Sequence, residues 1–293
     1  MQLDELMAIV QAAGGGCNAL EYAEPLLNKI NRLKGAGGYE TLLAQLQSAK
    51  EEGDFRGRVL EVNFANLFVE SGTELQYGAK QGMSGDVDFC WQVGEYQIFL
   101  EMKLLGQDKK SREAINQQLA DTGFYQLCVS DDSFDVARIQ RDIFEKSSIK
   151  KFNPLPKPNR INIVAVDVSE LQLSTIDIGD CLLAAVGNEI TAKYCHPICL
   201  RPAVVGVFES AGKALSPDQV EWVKCFHNFS NSGVPHPRDY IHGVLFLFRH
   251  PEARAALSYD LSAEIVWNSA LMNESCARSI FESFRQIVPA KEQ

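Results

Sequence analysis

The sequence predicts an α/β protein, and three observations carry that prediction. Helical periodicity broken by glycines runs up to Ser71, three consecutive strand-like segments follow, and a later apolar run has the composition of a strand buried on both faces. Three helices are predicted first: Leu3 to Ala13, Ala19 to Leu33 and Tyr39 to Glu52. Each is followed by glycine (Gly14 to Gly16, Gly35 to Gly38, and Gly53), the usual helix stop. A fourth helix is expected from Asp54 to Ser71, where Val59, Leu60, Val62, Phe64, Leu67 and Phe68 include i, i+3 and i+4 spacings before Gly72. Thr73 to Tyr77, Val87 to Val93 and Tyr96 to Lys103 read as strands, and helices follow near Ser111 to Asp121 and Phe134 to Ser148.

Lys151 to Arg160 holds three prolines and reads as an extended loop, and Ile161 to Val168 is the doubly buried strand. Helices at Asp180 to Val186 and Ser216 to Phe229, strands at Tyr240 to Phe248 and Leu257 to Trp267, and a closing helix from Asn273 to Ile287 complete the chain. The expected organisation is an N-terminal helical region (1–53), a central core (54–168) and a C-terminal α/β extension packed on the same sheet (169–293).

The 293 residues are 46% hydrophobic and 23% charged, an ordinary globular composition that can bury a sizeable core. No run approaches the ~20 apolar residues of a spanning helix. The first residues carry acids where a secretory signal would carry basic ones, and the eight cysteines from Cys17 to Cys276 form no compact framework, so a reducing, cytoplasmic location is expected. A formal net charge of −10 argues against a protein that coats nucleic acid by general attraction, although a local basic groove is compatible with it.

The chemistry is concentrated in Gly85 to Lys103, where acids and a lysine interrupt two apolar, aromatic strands. With Gly94-Glu95 as a two-residue turn, glycine stands at the first central position as a type II′ hairpin requires. Val93 then faces Tyr96, Asp88 lies opposite Glu101, and Asp86 lies opposite Lys103. Side chains at i and i+2 share a face, so these four charges project together while Val87, Phe89, Leu100 and Met102 point the other way. Two carboxylates on opposed positions repel unless a cation sits between them. Mg²⁺ is typically held by one or two carboxylates plus phosphate oxygens, and it acidifies a bound water. The rival reading of the same residues is a cross-strand Asp86–Lys103 ion pair beside solvated acids.

Asp88, a spacer of twelve, and Glu101-Met102-Lys103 resemble the PD-(D/E)XK nuclease superfamily, the restriction endonuclease-like fold. Its core of helix, three-stranded antiparallel meander, helix and strand in a mixed sheet is similar in order to Asp54 to Val168. Val87 stands where the family's name has proline. The resemblance implies hydrolysis of phosphodiester bonds, DNA before RNA, by a Mg²⁺- or Mn²⁺-dependent endonuclease. Asp88, Glu101 and the Met102 carbonyl would hold the metal, Lys103 would handle the water, and Glu61 on the first core helix would support the site. Asp86 is a supporting acid, and Gln117 or Gln118 would match a glutamine that many members carry on the second helix.

Between Arg138 and Arg160 stand seven basic residues against Asp142 and Glu145, and Lys109, Lys110 and Arg112 follow the third strand. Lys150, Lys151 and that cluster are the expected phosphate-binding rim. Cys195, His196, Cys199, Cys225 and His227 lack the spacing of a zinc knuckle and read as core positions. The implied partner is a nucleic acid, not a membrane, with a homodimer left open. The alternative function is a catalytically inactive nuclease-fold protein that binds nucleic acid or a protein.

Overall fold

The structure, a computed structural model, describes residues 2–11, 19–80, 85–106, 113–114, 117–118, 121–123, 132–155, 157–169, 176–194, 204–209, 216–226, 235–249 and 261–288. Among these it forms an α/β fold with a mixed six-stranded open sheet and eight α-helices. In chain order the elements are α1 (Leu3–Val10), α2 (Ala19–Ala36), α3 (Glu40–Ser48), α4 (Glu52–Glu70), β1 (Leu75–Lys80), β2 (Asp86–Val93), β3 (Tyr96–Leu104), α5 (Asp132–Lys146), β4 (Arg160–Asp167), α6 (Ile178–Tyr194), α7 (Pro217–Phe226), β5 (Gly243–Arg249), β6 (Leu261–Trp267) and α8 (Glu274–Arg285). Gly53 does not end α3, which stops at Ser48; it lies in the first turn of α4, where a glycine is tolerated near the end.

The strands lie side by side in sequence order. β1 to β3 form an antiparallel meander, β4 and β5 run parallel to β3, and β6 turns back antiparallel to β5. A parallel neighbour needs a crossover, and the β3–β4 crossover carries α5. Helices cover both faces. Residues of α1 to α4 and α8 pack on one side with Phe89, Leu100 and Ile163, while α5 and α6 pack on the other with Phe99, Val164 and Val166. β4 is consequently buried at every position, as its mainly apolar sequence predicts, and it carries Arg160, Asn162 and Asp167 into that burial.

α4 is buried on most of its circumference because α2 and α3 cover the face turned away from the sheet. Its buried amide oxygens are paired outward, Asn63 Oδ1 accepting from Lys29 Nζ at 2.8 Å and Asn66 Oδ1 from Arg32 at 2.7 Å. Phe64 and Phe68 meet Phe89 and Trp91 of β2 and Phe284 of α8, with Phe68 edge-on to Trp91 at 5.4 Å between centroids. Buried tilted and edge-on ring pairs of this kind join helix, sheet and closing helix in one contact.

The hairpin register is the one expected from a Gly94-Glu95 turn: Val93 pairs with Tyr96 and Phe89 with Leu100. Gly94 has φ +54 whereas Glu95 is not among the residues at positive φ, the sign pattern of a type II′ turn. On the other side of β2, paired positions run from Leu75–Trp91 to Tyr77–Phe89 and resume at Ala79–Val87, skipping Gly78 and Asp88. Gly78 takes φ +67 there, and the strands rotate. Tyr77 and Phe89 therefore pack against the α4 side, while Ala79 and Val87 pack on the α5 side. Strict alternation placed Val87 with Phe89; the twist at Gly78 moves it to the opposite face.

No helix among the described residues is long and apolar enough to cross a membrane.

Phe68→Ala is expected to destabilise the fold by about 3–5 kcal/mol in urea unfolding, the range for emptying a buried aromatic site. A second prediction concerns His242, whose Nδ1 accepts the Asn162 amide at 3.1 Å and ties the start of β5 to β4. Burial, reinforced by nearby Arg160, pulls its pKa from 6.5 down to about 4 against an opposing backbone hydrogen bond. Between those values the unfolded chain binds the extra proton, so this contribution is complete above pH 6.5 and is lost as pH falls toward 4. Urea midpoints should drop over that window more steeply for the native chain than for His242→Asn; parallel curves would contradict it.

Candidate carboxylate centre

Three carboxylates reach the open end of the meander from three elements. Glu61 comes from α4, Asp88 from the twisted position of β2, and Glu101 from β3. Asp88 Oδ2 accepts the Met102 backbone N–H at 2.7 Å, so its side chain takes up a main-chain donor beyond the last β2–β3 pair. Glu101 has no solvent exposure and Glu61 only 7%. Both feel Asp88. Burial first, then the Asp88 charge, raises Glu101 against the pull of Lys146 and Lys151. The same two causes raise Glu61 to about 7 against its ion pair with Arg58.

Each acid is braced differently. Arg58 Nη1 donates to both Glu61 oxygens, at 2.7 and 2.9 Å, one helical turn away. Tyr77 Oη lies 3.0 Å from Glu61 Oε2 and 2.8 Å from Gln45 Oε1 of α3, with its single proton available to either. Burial, then Glu61, raises the Tyr77 phenol. On the other side, Lys146 Nζ is 2.7 Å and Lys151 Nζ 3.2 Å from Glu101 Oε1. Burial draws the Lys146 pKa down, yet Glu101 and Asp88 together hold it above its ordinary value. Glu101 Oε2 is buried with no hydrogen-bond partner.

That orphaned oxygen is what tests the centre for a metal. An unpaired buried carboxylate oxygen is costly, and a hard cation with oxygen ligands would relieve it. Among the described residues no three acidic, histidine or cysteine side chains stand close enough to hold an ion by themselves. The donors that fit are therefore Asp88 and Glu101 with the Met102 carbonyl, the remaining positions falling to water or phosphate oxygens.

The other expected residues divide. Lys103 does not face Asp86; its Nζ lies 3.6 Å from Asp142 of α5, whose side chain is 2% exposed. Asp86 is exposed, and its backbone carbonyl accepts from Lys151 Nζ at 2.8 Å. The four hairpin charges therefore do not form one cluster, because the β2 twist and α5 separate them. Lys151, expected in a phosphate rim, turns inward to Glu101, whereas Lys150 is exposed. Gln117 bonds Asp121 at 2.9 Å, and the Gln118 carbonyl accepts from Thr122. Lys109, Lys110, Arg112, Cys195, His196, Cys199, His227 and the Cys225 side chain lie outside the described residues.

Sequence reasoning missed Arg58, Tyr77 and the inward role of Lys146. Arg58 was legible as an i, i+3 partner of Glu61. Tyr77 needed the β1–β2 register, and Lys146 needed the crossing of α5 over β3.

Because its folded pKa is raised from 4.5 to about 7, Glu61 contributes stability that is complete below pH 4.5 and is lost as pH rises through 7. In chelator-treated protein, the urea midpoint of the native chain should fall relative to Glu61→Gln across that window. A constant difference would contradict the raised pKa. Compared with protein-family models, with curated proteins and with solved structures, the chain matches none.

Proposed function

We propose that the chain is a metal-dependent endonuclease that hydrolyses phosphodiester bonds, DNA before RNA, on a restriction endonuclease-like core of the PD-(D/E)XK type. The observation that carries this reading is Glu101 Oε2, a buried carboxylate oxygen without a partner beside Asp88. The order α4, β1–β3, α5, β4, with β4 parallel to β3, supports it as the scaffold such a centre uses.

Asp88, Glu101 and the Met102 carbonyl would hold Mg²⁺ or Mn²⁺. Bound there, the ion would acidify a water and offset charge developing on the phosphate. The chain's own residues do the rest. Met102 N–H fixes the Asp88 carboxylate, Arg58 and Tyr77 fix Glu61, and burial keeps competing water from Glu101. A lysine ammonium aimed at the same oxygens orients water and a phosphate oxygen before reaction, so little reorganisation remains for the transition state. Exposed Lys150 and Lys157 can meet the nucleic-acid backbone outside the acidic centre.

A second reading, a nuclease-fold protein that binds nucleic acid or a partner without cutting, is favoured by one observation. Lys146 and Lys151 already bring two ammonium groups to Glu101 Oε1. The two readings part in one experiment: calorimetric titration with Mn²⁺, in the presence and absence of plasmid DNA, with cleavage followed on the same samples. The enzyme reading expects Asp88→Asn and Glu101→Gln each to lose cation binding and to lower cleavage by about a thousandfold or more, since the ion's charge stabilisation amounts to several kcal/mol. Wild-type protein that binds no divalent cation even with DNA would leave the binding role.

A further inference from the structure

Three lysines compete for the role of the ammonium that serves Glu101, and their surroundings separate them. Lys103 lies one strand-step beyond Glu101 on the same strand face, which is why a sequence reading selects it. Its ammonium is directed to Asp142, a carboxylate whose side chain is 2% exposed. Drawing Lys103 toward Glu101 would leave that buried acid with Arg141, 3.4 Å away and 58% exposed, a change that costs free energy. Lys151 is anchored by two acceptors, Glu101 Oε1 and the Asp86 carbonyl. It stands on the loop that closes over Gly85, where a Cβ would come within 2.7 Å of the Lys150 carbonyl oxygen. Lys151 thus clamps β2 to the loop before β4.

Lys146 differs from both. It ends α5, so its backbone is fixed by a helix, and its ammonium lies 2.7 Å from Glu101 Oε1 with 29% of the side chain exposed. One turn earlier on the same helix stands Asp142. Residues at i and i+4 share a helix face, so α5 holds Lys103 with one residue and presents Lys146 to Glu101 with the other.

From this geometry we propose that Lys146, and not Lys103, is the lysine that faces the reacting phosphate at the Asp88–Glu101 centre. The proposal rests on the reading of that centre as a divalent-cation site. Lys146 donates an N–H to a phosphate oxygen or to the water held beside Glu101, and no covalent bond to it forms. Without a cation it is the counter-ion of Glu101, so its charge opposes cation entry; on loading, its proton donors turn to the phosphate.

The test is Mn²⁺ titration by calorimetry of the full chain, native and with Lys146→Met, Lys146→Arg and Lys103→Met, alongside cleavage of supercoiled plasmid and urea midpoints for every variant. K146M keeps an apolar stem and loses the charge. It should bind Mn²⁺ about tenfold tighter, a modest share of the effect of one unit charge a few ångströms away. It should also lose more cleavage than K103M. K146R should return Mn²⁺ affinity toward the native value. Should K146M fail to fold, Lys146→Gln set against K146R gives the same contrast. Native Mn²⁺ affinity in K146M, or a greater loss of cleavage in K103M than in K146M, overturns the proposal while leaving the cation site standing. If neither the native chain nor any variant binds Mn²⁺, the cation-site reading fails, and the role of Lys146 fails with it.

Discussion

The constraint on which the rest depends is a carboxylate with no solvent exposure at the open end of the meander. An ionised carboxylate in such a place is tolerated only with opposite charge and hydrogen bonds around it. Glu101 receives the charge from two ammonium groups and keeps one oxygen without a donor. Asp88 aggravates the problem by adding a like charge close enough to raise both Glu101 and Glu61. Apolar residues of similar volume at such positions are often as stable or more so. Repulsion among oxygen donors is what a hard cation would relieve.

The architecture follows from keeping those groups in place. The Gly78 turn lets β2 rotate so that Asp88 leaves the ladder and takes the Met102 N–H instead of a strand partner. α5 is required by the parallel β3–β4 pairing, and the same helix delivers Lys146 to Glu101 and Asp142 to Lys103. The aromatic contact of Phe68 with Trp91 fixes α4 against β2, which sets where Glu61 stands. Packing and electrostatics are therefore not separate layers here. The elements that bury the core also carry the charges.

Much of this was legible in local pattern. Amphipathic spacing located α1, glycine stops with i, i+3, i+4 spacing located α2 and α4, and the mainly apolar run located β4; Gly14 to Gly16, the expected stop of α1, lie outside the described residues. The Gly94-Glu95 turn set the β2–β3 register because two residues leave a single pairing compatible with a type II′ loop. What failed was strict alternation across Asp88. A glycine at positive φ in β1, opposite the acid, breaks the period from a neighbouring strand, and no window on β2 can register it. The pairing of Lys103 with Asp142 and of Lys146 with Glu101 was hidden for a related reason. Both contacts cross from helix to sheet, and the rotation of α5 over β3 is decided by core residues such as Ile139 and Ile143 rather than by the charges themselves.

The N-terminal helices enter the same electrostatic system. Gln45 of α3 lies within hydrogen-bond reach of Tyr77, Tyr77 reaches Glu61, and Arg58 donates to both Glu61 and the Tyr77 oxygen. This chain runs from an exposed helix to the edge of the carboxylate centre through partly buried groups, where each hydrogen bond is stronger than it would be in water. When Glu61 loses its proton, Tyr77 gains by donating to it and Gln45 is left without that proton. The charge state of the centre thereby bears on the hydrogen bond between Tyr77 of β1 and Gln45 of α3. A helix that looks like a peripheral addition in the sequence is thus linked through Tyr77 to Glu61, an acid whose pKa burial and the Asp88 charge raise.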